Sequence, residues 1–235
     1  MARYSLARHV FVCRDEEAIV VLDLRADRYF QLDAPSTAPL APLLTGWPAG
    51  SSADPVPPEA AVAEVAAALL MKGWLLEGEA LGKAATPVVV ATPHTELLGD
   101  IEVSPAGIDL GAVLAFGIAS FRAKFAVRLW GLERVIRRVT SRKARRAGQT
   151  VDMERARQLM EVFGRLRVFL FSHREECLHD SLALLEFLAR YGIFPDWVFA
   201  VRARPFVAHC WVQYQDVVFN DTAEHVGGYT PIMVV

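Results

Sequence analysis

Residues 172–192 read SHREECLHDSLALLEFLARYG. The first four residues, from Ser172, fit a capping box ahead of an apolar run, and this pattern predicts that a helix starts there. Gly192 is a typical residue at the C-terminal end of a helix, so the predicted helix continues to Tyr191. Cys177 therefore lies near the N-terminal end of a predicted helix.

The segment after this helix predicts three strands, at Trp197–Arg202, Val207–Tyr214 and Val217–Asn220. His209 lies on the second strand, and Asp221 directly follows the third. A thiol needs a neighbouring imidazole or a helix N-terminus to become a thiolate near neutral pH, and a carboxylate can orient that imidazole. A papain-like or transglutaminase-like site requires this order along the chain: a cysteine on a helix, then a histidine on a strand, then an aspartate after the next strand.

In such a site each of the three side chains has a defined role. Cys177 attacks a carbonyl carbon, and His209 holds the thiolate and then protonates the leaving amine. Asp221 orients the imidazole and stabilises its charged form. The backbone N–H of the cysteine and a second donor, which the sequence does not identify, would hold the oxyanion.

Strand alternation sets a geometric condition on this site. A two-residue turn at Gln215-Asp216 would pair Cys210 with Asp221, which puts His209 and Asp221 on opposite faces of the sheet. A three-residue loop, or a bulge near Asn220, would pair the two side chains directly. The catalytic interpretation therefore predicts one of these irregularities.

Composition and charge exclude several classes of protein. The chain has 235 residues, of which 53% are hydrophobic and 22% charged, and its net charge is −2. This charge argues against a nucleic-acid binder and a polybasic membrane binder. Three cysteines argue against a disulfide framework. The N-terminal residues show no secretory signal, and the closest approach to a long apolar span, residues 108–118, is too short to cross a bilayer. We expect a cytoplasmic protein whose thiols stay reduced.

The N-terminal part of the chain predicts a compact α+β module. Alternating runs predict three strands, at residues 9–12, 18–24 and 28–32. A helix over residues 36–44 and a loop rich in glycine, proline and serine follow. A second helix opens at Glu59 and ends at Gly73, with Val65 and Leu69 on its apolar face, and residues 74–76 predict a short strand.

Two further helices are predicted between this module and Cys177. Residues 112–146 are apolar at first and strongly basic at the end, and residues 153–171 form the second helix. A packed helix with a solvated basic end is the simpler interpretation of the first. A contact of this basic end with nucleic acid or anionic lipid is the more specific alternative, although the overall charge of the chain predicts no nucleic-acid partner.

The C-terminal motifs resemble those of a known family. Residues 177–184, Gly192-Ile193, residues 205–212 and Asn220-Asp221 are similar to the transglutaminase-like cysteine leader peptidases of lasso-peptide biosynthesis. The resemblance implies a papain/transglutaminase-like α+β domain in which Cys177, His209 and Asp221 form the triad. It departs from the family at Cys210, where a small residue is common, and at Gln213, which is often glutamate. The change at Cys210 is mild and is not expected to disturb the site.

The N-terminal module is similar to the RiPP recognition element, a PqqD-like winged-helix module that binds leader peptides. The resemblance implies that the leader adds a strand to the sheet edge and packs against the last helix. It implies a recognition module over residues 1–82, a linker over 83–111 and a protease domain over 112–235. The implied leader-binding side chains are Arg28, Tyr29, Phe30, Leu32, Val65 and Leu69. Because Tyr29 and Phe30 point to opposite faces, one of them is expected to fill the core.

The family resemblance also implies partners. The leader of a precursor peptide would bind here, and a separate asparagine-synthetase-like cyclase would use any ATP that is required. The chain has no Gly-x-x-x-x-Gly-Lys loop, and we expect it to need no cofactor. An amide-forming acyltransferase or transglutaminase would use the same triad, and a non-catalytic peptide-binding adaptor would not need it.

A metal site is a further alternative. Cysteine and histidine ligands occur at Cys177, His173, His179, His209, Cys210 and His225, but no Cys-x-x-Cys or His-Glu-x-x-His spacing supports a site, so none is predicted. His225 follows Asp221 closely and is the strongest rival to His209 as the active imidazole.

Overall fold

The structure is a computed structural model that describes residues 3–48, 59–97, 109–146, 150–167 and 177–235. The chain divides into two compact units. The first holds residues 1–89 together with 200–208 and 230–233, and the second holds residues 90–199, 209–229 and 234–235. Strands and helices occur in both, so the predicted α+β class is confirmed.

In the first unit, the described residues 3–48 and 59–89 form two small antiparallel sheets and two helices. The main sheet has the strand order β2-β3-β4, and the outer pair is β1-β5. The strands are β1 (Tyr4–Leu6), β2 (Val10–Asp15), β3 (Ala18–Asp23), β4 (Arg28–Asp33) and β5 (Leu75–Glu77), and the helices are α1 (Ala34–Thr37) and α2 (Glu59–Met71). Strands β2, β3 and β4 match the three predicted ones, whereas β1 was not predicted.

The helix predicted over residues 36–44 is shorter in the structure. Asp33 caps α1 by accepting a hydrogen bond from the Ser36 backbone N–H, and a 3₁₀ turn over Ala38–Leu40 follows. Pro39 has no backbone N–H, so an α-helical bond cannot form at that position. The core of this unit gathers around Trp74, whose indole N–H donates to Asp23 and whose ring lies 4.9 Å from that of Phe30.

Beyond residue 89 the described residues form three long helices and a mixed sheet. The helices are α3 (Leu110–Ala144), α4 (Met153–Arg167) and α5 (Cys177–Arg190). The five-stranded sheet has the order β10-β7-β8-β9-β6. Its strands are β6 (Thr95–Glu96), β7 (Asp196–Arg202), β8 (Val207–Tyr214), β9 (Val217–Val218) and β10 (Thr230–Val234), and a short helix α6 (Ala223–Val226) precedes the last of them.

Strand β6 lies within the stretch predicted to be a linker. It pairs in parallel with β9, and the His94 and Thr95 backbone N–H groups donate to the Asp216 carbonyl. Residues 94–97 are therefore part of the sheet that carries the candidate site. The domain boundaries at residues 82 and 111 stay predictions.

Helix α3 differs from the predicted continuous helix. It is interrupted at Gly131, whose φ of 71° and ψ of 162° are not helical. A glycine adopts this positive φ without the steric cost that a side chain would add. By length and composition alone α3 is long and apolar enough to cross a membrane, although its uncharged apolar part is short. Only 33% of its apolar window is buried.

Candidate active site

The structure brings the three predicted catalytic side chains together in the second unit. Cys177 is the first residue of α5 that the structure describes, and the predicted capping box before it lies outside the described residues. His209 is the third residue of β8, and Asp221 follows β9 and precedes α6. A helix, a strand and a strand exit therefore supply the three groups in the predicted order.

The path of the chain after β9 explains how His209 and Asp221 meet. The β8–β9 turn has two residues, with Gln213 opposite Val218, so the three-residue loop is wrong. The ladder stops soon afterwards, because the Val212 backbone N–H donates to the Asn220 side-chain oxygen at 2.8 Å. The chain leaves the sheet there, so strict alternation does not reach Asp221. In place of the predicted bulge near Asn220, the ladder ends early.

Asp221 lies at the centre of a set of short polar contacts. Its Oδ2 is 2.6 Å from His209 Nε2, and its Oδ1 accepts the Thr222 backbone N–H at 2.7 Å. His225 Nδ1 lies 3.0 Å from both carboxylate oxygens. Because Nε2 of His209 faces Asp221, its Nδ1 is left for the hydrogen bond to Cys177. His225 thus joins the site through the carboxylate, with about half of its side chain exposed.

These contacts favour a thiolate and a charged imidazole. The hydrogen bond with the Cys210 thiol has the largest influence on Cys177, and with the bond and charge of His209 it lowers the pKa of Cys177 to about 4, although burial opposes this. Burial would lower the pKa of His209, but its hydrogen bonds with Asp221 and Cys177 raise it to about 9. Burial would likewise raise the pKa of Asp221, and its hydrogen bond with His209 brings it below the usual range. Near neutral pH the pair is therefore a thiolate and an imidazolium.

Cys210 contacts the reactive thiol of Cys177, whereas this departure from the family pattern was expected to leave the site undisturbed. Its side chain is buried, and its thiol contacts both Cys177 and the Ser181 hydroxyl. Burial raises the pKa of the Cys210 thiol well above its usual value, so it stays protonated and can donate to the neighbouring thiolate. Ser181 is one helical turn after Cys177 and donates to the Cys210 carbonyl at 3.2 Å.

A buried polar network supports this arrangement, and sequence reasoning gave its members no role. The Asn220 side-chain amide donates to Asp180 at 2.8 Å and to the Ser181 hydroxyl at 3.0 Å. Arg167 lies 3.1 Å from Asp180, whose pKa is raised by burial and held back by the arginine charge. The network ties the start of α5 to the point where the chain leaves β9. Only the adjacent polar residues at 180–181 and 220–221 hinted at it in the sequence.

Gln213, the second departure from the family pattern, has a defined structural role. It is buried, and its side-chain oxygen accepts the Trp211 indole N–H at 2.7 Å. Its amide nitrogen donates to the carbonyls of Ala91 at 2.8 Å and Gln215 at 2.6 Å. A glutamate could not donate those two bonds. The Trp211 ring in turn stacks beside His209, with ring centroids 6.0 Å apart.

Among the described residues, one group of side chains has the composition and spacing that could hold a metal ion. His209, Asp221 and His225 have ligand atoms within 4.8 Å of one another. Their nitrogen–oxygen distances of 2.6 to 3.0 Å are hydrogen-bond distances, so an ion would have to displace those bonds. His173 lies outside the described residues.

The predicted leader-binding side chains lie on two sides of the first unit's sheet. Arg28 is exposed, and the Tyr29 ring lies 5.8 Å from that of Phe206. Phe30 packs on Trp74, so it is the member of the aromatic pair that joins the core. Leu69 is only 5% exposed, which makes it a core residue, whereas Leu32 and Val65 are half-buried.

Comparison with known proteins identifies a family for residues 119–234. Neither curated proteins nor solved structures give a significant match. Residues 119–234, just under half of the chain, match the model of the family described as the transglutaminase-like superfamily. That superfamily includes cysteine peptidases and acyltransferases. The match covers α5, the strands of the sheet after it and all three clustered side chains. Residues 119–234 therefore form a transglutaminase-like domain.

Proposed function

We propose that this chain is a leader peptidase of lasso-peptide biosynthesis. It would bind the leader of a ribosomally made precursor through its N-terminal module and cleave the leader from the core with Cys177. The observation that carries the proposal is the hydrogen-bonded series from Cys177 through His209 to Asp221, at 2.6 Å for the last pair. An adaptor without catalytic activity would not require this arrangement.

The chemistry follows from the charges of the three groups. The Cys177 thiolate attacks the scissile carbonyl carbon, and a tetrahedral oxyanion forms. The His209 imidazolium then protonates the leaving amine, so the carbon–nitrogen bond breaks and a thioester remains on Cys177. His209, now neutral, takes a proton from water, which hydrolyses the thioester. Asp221 keeps the imidazole oriented and favours its charged form throughout.

Leader binding is proposed at strand β4. Within the described part of the chain β4 is the last strand of its sheet, so its outer backbone groups can pair with an added strand. Arg28 is exposed beside that edge, and Leu32 and Val65 leave part of their surface accessible. Leu69 would support this surface from the core. Tyr29 lies against Phe206, so its accessible face is smaller than the sequence suggested.

The fusion of the two functions has a physical advantage. A tethered binding module raises the local concentration of the cleavage site at Cys177, so the core peptide can vary while the leader supplies affinity. We propose a cytoplasmic location, where Cys13, Cys177 and Cys210 stay free. ATP, if the pathway needs it, would be used by a separate asparagine-synthetase-like cyclase.

The experiment follows precursor cleavage by mass spectrometry, with and without the cyclase and ATP. We expect a product pair whose masses sum to the precursor plus one water. A labelled amine is added in a parallel reaction, because capture of the acyl group by that amine in place of water would identify an acyltransferase. If the precursor neither binds nor is cleaved under any of these conditions, the proposal is wrong.

Leader recognition is tested separately with a fluorescent synthetic leader. Val65→Glu and Leu32→Glu should weaken binding without changing the alkylation rate of Cys177. Met71→Glu is the matched control, because Met71 is 84% exposed at the end of α2. Unchanged leader affinity in both test variants would contradict the proposed site at β4 and α2.

A further inference from the structure

Helix α3 carries a continuous stripe of exposed apolar side chains. They recur every three or four residues, which places them on one face of the helix. Their exposed fractions range from 38% to 81%. We call this set the α3 stripe; its members are Leu110, Leu114, Ile118, Phe121, Phe125 and Leu129. Stable soluble domains rarely leave such a contiguous apolar surface open, and when they do it is usually an interaction site.

The opposite face of the same helix is buried in the domain. Ala112, Ala115, Ala119 and Ala123 are each less than 8% exposed there, and Phe116 packs against Phe163 with ring centroids 5.3 Å apart. A helix that spans a bilayer would have to give up this packing. The structure therefore favours a helix that stays in its domain and offers its outer face to a partner.

The charges around the stripe identify the partner. Ten of the 37 residues from 110 to 146 are lysine or arginine and only Glu133 is acidic, although the whole chain has a net charge of −2. Arg142 and Lys143 are paired with Glu186 and Asp196. The other eight basic side chains are exposed; they are Arg122, Lys124, Arg128, Arg134, Arg137, Arg138, Arg145 and Arg146.

The stripe and the basic side chains are arranged side by side. On a helix of 3.6 residues per turn, Arg122 falls on one flank of the stripe and Lys124 and Arg128 on the other. A groove also opens near Gly131, lined by Phe125, Leu129, Trp130 and Arg138 among others. The Arg138 guanidinium lies over the Trp130 ring at 5.3 Å. Aromatic and aliphatic side chains with flanking cations are typical of helices that lie in a membrane interface.

We propose that the α3 stripe and the basic side chains that flank and follow it bind the surface of an anionic lipid bilayer. The apolar side chains would enter the boundary between headgroups and acyl chains, and the arginines would contact lipid phosphates. A nucleic acid would match the charges but would leave the stripe without a partner. This inference does not depend on the proposed peptidase activity.

The test is co-sedimentation of the full chain with two kinds of vesicle, one of phosphatidylcholine alone and one that also contains phosphatidylglycerol. We expect binding to the anionic vesicles, weakened by added salt, and much less binding to the neutral ones. The double variant Leu114→Ser/Phe125→Ser should lower the partition coefficient roughly 100-fold, since two large apolar side chains lose their insertion. Arg134→Gln/Arg137→Gln should lower it about 25-fold, at roughly fivefold for each charge.

Matched controls test whether binding depends on this surface or on apolar and basic side chains anywhere on the protein. Leu81→Ser/Val89→Ser changes two apolar residues that are 65% and 94% exposed outside the stripe, and Arg8→Gln/Arg190→Gln removes two exposed charges elsewhere. Both controls should bind as the wild type does. Circular dichroism and the alkylation rate of Cys177 should be the same in all variants, which shows that each one is folded.

Three outcomes would overturn the proposal. The first is no binding to anionic vesicles. The second is wild-type binding by the stripe variant when the arginine variant has lost it, since that identifies a general polyanion site. The third is a wild-type dimer in analytical ultracentrifugation that the stripe substitutions convert to a monomer, since a second copy would then cover the stripe.

Discussion

His209 Nε2 lies 2.6 Å from Asp221 Oδ2, although the two-residue turn between their strands would place the side chains on opposite faces of a regular ladder. The ladder ends because the Asn220 side chain replaces a backbone acceptor for the Val212 N–H. The chain is then free to turn Asp221 toward His209. The Asn220 side chain thus lies at the point where the chain leaves the ladder, and this departure allows the His209 imidazole to contact the Asp221 carboxylate.

Replacement of Asp221 by asparagine should strongly reduce turnover. The amide can still hydrogen-bond to His209, but it removes the negative charge that stabilises the imidazolium, so the pKa of His209 should fall. In a serine triad the equivalent change lowers kcat about 10⁴-fold, and we expect a loss of about 10³- to 10⁴-fold here. Precursor cleavage is measured under single turnover, with Asp216→Asn as the control. A loss below tenfold would contradict the assigned role of Asp221.

The rate of precursor cleavage should depend on pH in a bell shape. It should rise as pH increases through the pKa of Cys177, about 4, because the thiolate forms there. It should fall as pH increases through the pKa of His209, about 9, because the proton needed by the leaving amine is lost. Between these values the rate should be nearly flat. A single rise centred at the ordinary thiol pKa would show that no ion pair forms.

Cys210→Ala should move the acidic limb to higher pH. The substitution removes the hydrogen bond that most strongly lowers the pKa of Cys177, whereas His209 remains in place. The measurement is the rate of iodoacetamide alkylation of Cys177 against pH, followed by peptide mass analysis. Cys13 should not interfere, because burial and the charge of Asp15 raise the pKa of its thiol to about 12. An unchanged alkylation profile would show that the Cys210 thiol does not stabilise the thiolate.

Gln213→Glu should destabilise the second unit. The new carboxylate would be buried without the two hydrogen bonds that the amide donates to Ala91 and Gln215. Leaving buried groups unpaired costs about 1–3 kcal/mol each, so we expect a loss of about 2 kcal/mol or more. Denaturant unfolding measures it, with the exposed Gln215→Glu as the control. Equal stability of the two variants would mean that the buried amide bonds contribute nothing.

The predictable parts of the fold are those with a clear local pattern. Strands β2 to β4 alternate, and helix α5 combines an apolar periodicity with a terminal glycine. Strands β1 and β6 have only three and two residues, and their partners are far away in sequence, so no local pattern indicates them. The break in α3 was missed because the apolar periodicity continues across Gly131, and one glycine inside a helix does not by itself predict an interruption.

The residues of the candidate site could be predicted from the sequence, but the contacts between them could not. The order of Cys177, His209 and Asp221 is a sequence property, whereas their contact depends on where β9 ends. That end is determined by a side-chain hydrogen bond from Asn220, which no periodicity reveals. The contact of Cys210 with Cys177 also joins a helix to a strand over a long sequence separation, so it becomes visible only in the folded chain.

We propose that Cys177 is the nucleophile that releases the leader. The most direct measurement is intact-mass analysis of the precursor after incubation with the wild type, Cys177→Ala and Cys210→Ala, alongside the affinity of each for the fluorescent leader. We predict that Cys177→Ala binds the leader as the wild type does and releases none of it, whereas Cys210→Ala still cleaves. Normal cleavage by Cys177→Ala would contradict the claim.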